Sequence, residues 1–156
     1  MKNEKGFSLV ELLIVVAIIA IIAAIAIPSL LTSKQAANEA GAIQGCRTVA
    51  SAEIAFAATS NQQYTDMTNL VNGNFLDSRF GGTNAINGYT YASGDVAGTT
   101  MDGAVPNSFG FIGTPNAGMG RFLYSIAPDQ VVRYQGAVSG ASLPTGVNAG
   151  DPIGKN

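Results

Sequence analysis

Glu11 is the one charged side chain in a run of 21 residues, Phe7–Ile27, that is otherwise apolar apart from Ser8. As a helix that run is about 31 Å long, close to the hydrocarbon thickness of a bilayer. A carboxylate placed there costs on the order of 2.5–3.5 kcal/mol at the centre of the bilayer and less near an end. An ionisable group kept in such a setting marks a function and calls for a partner of opposite charge. The chemistry on offer is ion pairing in a medium of low dielectric.

The rest of the chain offers little for catalysis. It has no His, which removes Ser-His-Asp and Cys-His nucleophile systems and His-containing zinc sites. Its single cysteine, Cys46, excludes an internal disulfide and a cysteine-cage metal site. Net charge is −2 and 12% of residues are charged, with no basic run, so no electrostatic footprint for nucleic acid is present. Neither a cofactor motif nor a metal-ligand spacing stands out. Asp95, Asp102, Asp129 and Asp151 fall in loops whose spacing fits no calcium loop. An enzyme is not expected.

The N-terminus resembles that of type IV pilins and their pseudopilin relatives, the class III prepilin type. The likeness rests on Gly6, Phe7, Glu11, the apolar run and Pro28. In that family a dedicated peptidase cuts after the glycine and methylates the new N-terminal phenylalanine. The resemblance therefore implies cleavage after Gly6, methylation of Phe7, and a mature chain of 150 residues. It implies an assembly role for Phe7 and Glu11, the Glu11 carboxylate of one subunit meeting the Phe7 amine of its neighbour. It implies a single-pass inner-membrane precursor and then a cell-surface pilus serving adhesion, motility or DNA uptake. The implied partners are other copies in a helical homopolymer, the peptidase and methylase, an inner-membrane assembly platform with minor pilins, and the lipid bilayer. A periplasmic pseudopilin of a type II secretion system is the alternative, and a membrane-anchored binding domain that never polymerises is a remote one.

Two blander readings compete. An ordinary secretory signal would use Lys2 and Lys5, the apolar stretch and a small-residue site at Ala24-Ile25-Ala26. The uncharged run Leu12–Ile27 is 16 residues, long for that purpose, and Glu11 sits badly at its start. A plain anchor leaves the Gly-Phe-x-x-x-Glu spacing unexplained.

These residues need a long helix to carry them. Beyond Pro28 the chain stays Ala-rich, and Ala36, Ala40, Ile43, Cys46, Ala50, Ile54 and Ala57 recur at steps of three and four. The pattern predicts one helix from about Phe7 to Ala58, near 78 Å long, with Glu53 largely off its apolar stripe. Pro28 removes a backbone donor and is expected to kink or loosen the helix. Cys46 falls on the stripe and reads as core. Gly41 and Gly45 form a small-x-x-x-small pair, read as chance. Asp66 or Thr68 is placed to cap a short helix ended by Asn72-Gly73. Asn87-Gly88 signals a turn before a strand at Tyr89–Ala92. Further strands are expected at Ser108–Thr114, Arg121–Ile126 and Gln130–Gln135, the last two joined through Ala127-Pro128-Asp129. The aromatics on these strands read as packing residues.

The expected fold is α+β: a long N-terminal helix, its hydrophobic half protruding and its amphipathic half packed on a roughly four-stranded antiparallel meander. Domain bounds are a leader at 1–6, a hydrophobic helix at 7–28, an amphipathic half at 29–58, and a globular head at 59–156 with an irregular tail from Gly136. That order also resembles pilins.

Overall fold

The computed structural model describes residues 6–82, 84–93, 109–136 and 151–153. Lys2 and Lys5, Asp95 and Asp102 with most of their loop, and most of the tail lie outside the described residues. Helix α1 spans Leu9–Thr59 without interruption, and Pro28 lies inside it. The chain divides into two compact units after Lys34.

In the second unit, α1 buries Glu39, Ala42, Gly45, Cys46, Val49, Ala50, Ala52, Glu53 and Ala57. Steps of three and four keep these on one helical face. The expected stripe is partly rotated. Cys46, Ala50 and Ala57 are buried, but Ala36, Ala40 and Ile54 are exposed, and Glu39 and Glu53 take inward positions. The apolar pattern leaves Glu39 unassigned and puts Glu53 largely off the stripe. They turn inward because each accepts a backbone N–H, from Arg121 and Thr65 respectively, and a buried acceptor that is bonded escapes most of its desolvation cost.

Helix α2, Met67–Asn72, starts at Asp66, whose side chain accepts the Asn69 N–H at 2.7 Å. A 3-10 turn at Ser78–Gly81 follows, started by Asp77 accepting from Arg79 N–H at 2.8 Å. The sheet comprises β1 Tyr89–Ser93, β2 Phe111–Pro115, β3 Phe122–Ile126, β4 Arg133–Gly136 and β5 Asp151–Pro152, neighbouring in that order. Every neighbouring pair is antiparallel. The four expected strands are present. Two tail residues add a fifth, pairing Tyr134 with Asp151 and Arg133 with Pro152.

Local rules set the turns. Asn87 (φ 51) and Gly88 (φ 77) are both left-handed, as a two-residue hairpin turn of this hand requires, and Ile86 and Tyr89 exchange both backbone bonds around them. The Gln130 N–H closes on the Ala127 carbonyl at 2.9 Å. Across the sheet, Tyr91, Gly113, Tyr124 and Tyr134 share one row. That face, with Phe109, Phe111 and Ile126, packs in one cluster with Ala42, Cys46, Val49 and Ala50 of α1. Ile112 and Leu123 on the opposite face are also buried, so that face is not fully solvated.

Candidate functional site

Among its described residues, the first unit buries no side chain. Every Leu, Ile and Val from Leu9 to Leu31 is between 47% and 74% exposed. An uncovered apolar surface of that length on α1 is a surface for lipid or for other chains, and α1 is long and apolar enough to cross a membrane.

At its start, Ser8 and Glu11 form a reciprocal pair. The Glu11 N–H donates to Ser8 Oγ at 3.1 Å, and the Ser8 N–H donates to Glu11 Oε2 at 3.3 Å. This is a capping box, satisfying backbone donors that the first helical turn leaves open. Its Ser-x-x-Glu spacing is legible in the sequence, yet reading Glu11 only as an anion in an apolar run missed it. The carboxylate bond is long and exposed, hence weak, and Glu11 can exchange it for a stronger partner. Phe7 is 85% exposed. A Cβ built on Gly6 meets nothing within 4 Å. The chain's own packing therefore does not demand glycine there.

Pro28 leaves the Ala24 carbonyl without its in-helix donor. One turn later, Thr32 Oγ1 donates to the Ser29 carbonyl at 2.9 Å and contacts the Pro28 carbonyl at 3.3 Å, and Ser33 Oγ donates to Ser29 at 2.9 Å. Such back-bonding competes with the helix's own ladder.

In the second unit, α1 is clamped to the β2–β3 turn. Gln35 Nε2 donates to the Gly118 carbonyl (3.1 Å) and Asn38 Nδ2 to the Met119 carbonyl (2.9 Å). Glu39 accepts the Arg121 N–H (2.8 Å), Nε (3.0 Å) and Nη2 (2.9 Å). The spacing i, i+3, i+4 aims all three side chains at one turn. The Arg121 guanidinium holds the Glu39 carboxyl below the usual carboxylate range, against the opposing effect of burial. Stability from this pair is present above about pH 4.5 and is lost as pH falls through the depressed value. Arg121→Ala should therefore lower head stability at pH 7, though modestly, because the exposed guanidinium is screened by solvent. It should also flatten the loss on acidification. Thermal unfolding at pH 7 and pH 3.5 checks both, and an unchanged acid slope would count against the clamp.

Gly41 and Gly45 serve the head itself. A Cβ at Gly45 would overlap the Tyr91 hydroxyl, and one at Gly41 would approach Asn87 Nδ2 to 2.8 Å. The pair admits side chains of the β1 hairpin to α1, so it is not a chance spacing. Cys46 is fully buried, and burial pushes its thiol up to about 12, so it packs and does not react. Asp129 pairs with Arg133 at 2.5 Å and stabilises its own hairpin. Among the described residues, no three potential metal ligands converge.

Residues 1–27 match a family model described as the prokaryotic N-terminal methylation motif. The chain is also 54% identical over 39 residues to the type IV wide pilus major component PilA4 of Thermus thermophilus. That stretch is 25% of this chain and 30% of the relative, so the chain covers under a third of the relative it matches. The N-terminal segment thus carries the prokaryotic N-terminal methylation motif and is similar to that of a type IV pilus component.

Proposed function

We propose, from this prepilin-type N-terminus, that the chain is a pilus subunit with no catalytic role. A prepilin peptidase cuts between Gly6 and Phe7, and Phe7 is N-methylated. The exposed apolar half of α1 first holds the subunit in the inner membrane as a single span, with the head on the outer side. It then moves into the core of a helical homopolymer, built by a membrane assembly platform with minor pilins. Its partners in both settings are apolar, which explains why one surface serves twice. The observation that carries the reading is the fully uncovered run Leu9–Leu31 with its lone carboxylate one turn from Phe7. The similarity to a major pilus component of Thermus supports a major rather than a minor subunit.

In this reading Glu11 meets the Phe7 amine of a neighbouring subunit. Charges about 4 Å apart attract by roughly 4 kcal/mol at an effective dielectric of 20, before desolvation. The desolvation offset makes register the main gain. Pro28, with Thr32 and Ser33, marks where α1 loosens when the subunit leaves the bilayer.

Gly6 is the residue that tests processing, because its own fold leaves space for a side chain. Gly6→Val should fold and insert normally but stay uncut, with mature chain reduced at least tenfold. Immunoblots of membranes resolve the two lengths. Normal amounts of shortened chain would overturn cleavage at this bond.

A further inference from the structure

Glu53 lies in the last turns of α1 with none of its surface exposed. Its Oε2 accepts the Thr65 N–H at 3.2 Å. Its Oε1 is buried and has no hydrogen-bond partner among the described residues. The charge that acts on it is the Asp66 carboxylate at the start of α2, which repels it, and no Lys or Arg among the described residues offsets this. Burial outweighs the Thr65 hydrogen bond and pushes the Glu53 carboxyl up to about 7. A buried anion with one hydrogen bond and no cation is costly.

The segment that brings Thr65 to Glu53 has an unusual backbone. Asn61 (φ 53) and Gln62 (φ 62) are consecutive left-handed residues without glycine, each a strained conformation. The backbone bonds at 60–63 are local: Ser60 N–H and Gln62 N–H reach the Ala57 carbonyl, and Gln63 N–H reaches Ser60. Its longer-range ties are Thr65 to Glu53 and the Tyr64 ring edge-on to Phe109 at 4.9 Å. Thr65 also accepts from Asn69 Nδ2 at 3.0 Å, which couples the segment to α2.

We propose that Glu53 is a proton-binding site that latches the connection between α1 and α2. Protonated, it stays buried and keeps Thr65 against α1. Ionised, it drives residues 60–66 away from α1 to reach water. The carboxyl binds its proton more tightly in the closed head than in the open segment. Closure is therefore fully stabilised below the ordinary carboxyl value of about 4.5, weakens as pH rises, and is lost through about 7. The latch belongs to the head and does not depend on filament assembly.

Hydrogen exchange of the full chain in detergent micelles, corrected for the intrinsic pH dependence, tests it at pH 5.5 and pH 8.5. Amides from 60 to 69 should lose protection on the order of tenfold or more at the higher pH, while β2 and β3 hold theirs. Glu53→Gln, which keeps the shape of the neutral carboxyl, should abolish that difference. Equal protection at both pH values, a loss spread over the whole head, or the same loss in Glu53→Gln would overturn the latch. Should that variant fail to fold, titration of isotope-labelled glutamate carboxyls in the unsubstituted chain decides. One group titrating near pH 7 supports the proposal, and none above about pH 5 overturns it.

Discussion

Glu11→Ala is expected to leave the subunit inserted and cleaved while reducing sheared filaments at least tenfold. Each subunit interface would lose its charge pair with the Phe7 amine. A net loss of about 1.4 kcal/mol per contact already raises the concentration needed for growth tenfold. The substitution also removes half of the Ser8–Glu11 capping box, so a control is needed. Ser8→Ala breaks the box, at about 1 kcal/mol of helix-end stability, but keeps the carboxylate. It should assemble to within about threefold of the unsubstituted chain. Fractionating cells into sheared filaments and membranes compares the variants. Normal filament yield from Glu11→Ala, or equal failure of both, would contradict the pairing role.

The second large effect concerns the head. Glycine in an exposed helix interior is normally improved by alanine, by about 1 kcal/mol. At Gly45 the sign should reverse. A Cβ there would overlap the Tyr91 hydroxyl and come to 2.8 Å from Tyr91 Cε1. The ring has little room to retreat, because it packs against Phe80 with centroids 5.1 Å apart. Gly45→Val should cost about 3 kcal/mol by overpacking, lowering the head's Tm by about 10 °C or more. In Gly41→Ala the Cβ would come to 2.8 Å from Asn87 Nδ2 and 3.2 Å from Asn87 Cβ, a lesser clash, and the substitution should cost clearly less than Gly45→Val. Tyr91→Phe removes a buried hydroxyl that has no partner among the described residues and should be neutral or stabilising. It should also recover part of the Gly45→Val loss. Scanning calorimetry of the four chains checks the set, and a Gly45→Val head as stable as Gly41→Ala would refute this account of the packing.

Local rules made much of the fold legible. The Asp66 cap, the Asn87-Gly88 turn, the Ala127–Gln130 turn and the four longer strands each depend on a few adjacent residues, and each is present. The rotation of α1 was less legible. Alanine is indifferent to burial, so Ala36 and Ala40 looked as internal as Ala42. Glu39 and Glu53 face inward for partners 82 and 12 residues away, and periodicity cannot see a partner. Strand β5 exists because β4 offers it an edge, not because Asp-Pro favours extension. At the N-terminus the opposite holds. Gly6 and Phe7 stand out because nothing among the described residues requires them: a Cβ at Gly6 would meet nothing within 4 Å and Phe7 is exposed. Residues unexplained by their own fold point to what another molecule does with them.

Mass spectrometry of filaments sheared from cells tests the central claim most directly. The account predicts that the dominant protein begins at an N-methylated Phe7. A chain beginning at Met1 or after Ala26 in that fraction, or a processed chain confined to the cell envelope, would contradict it.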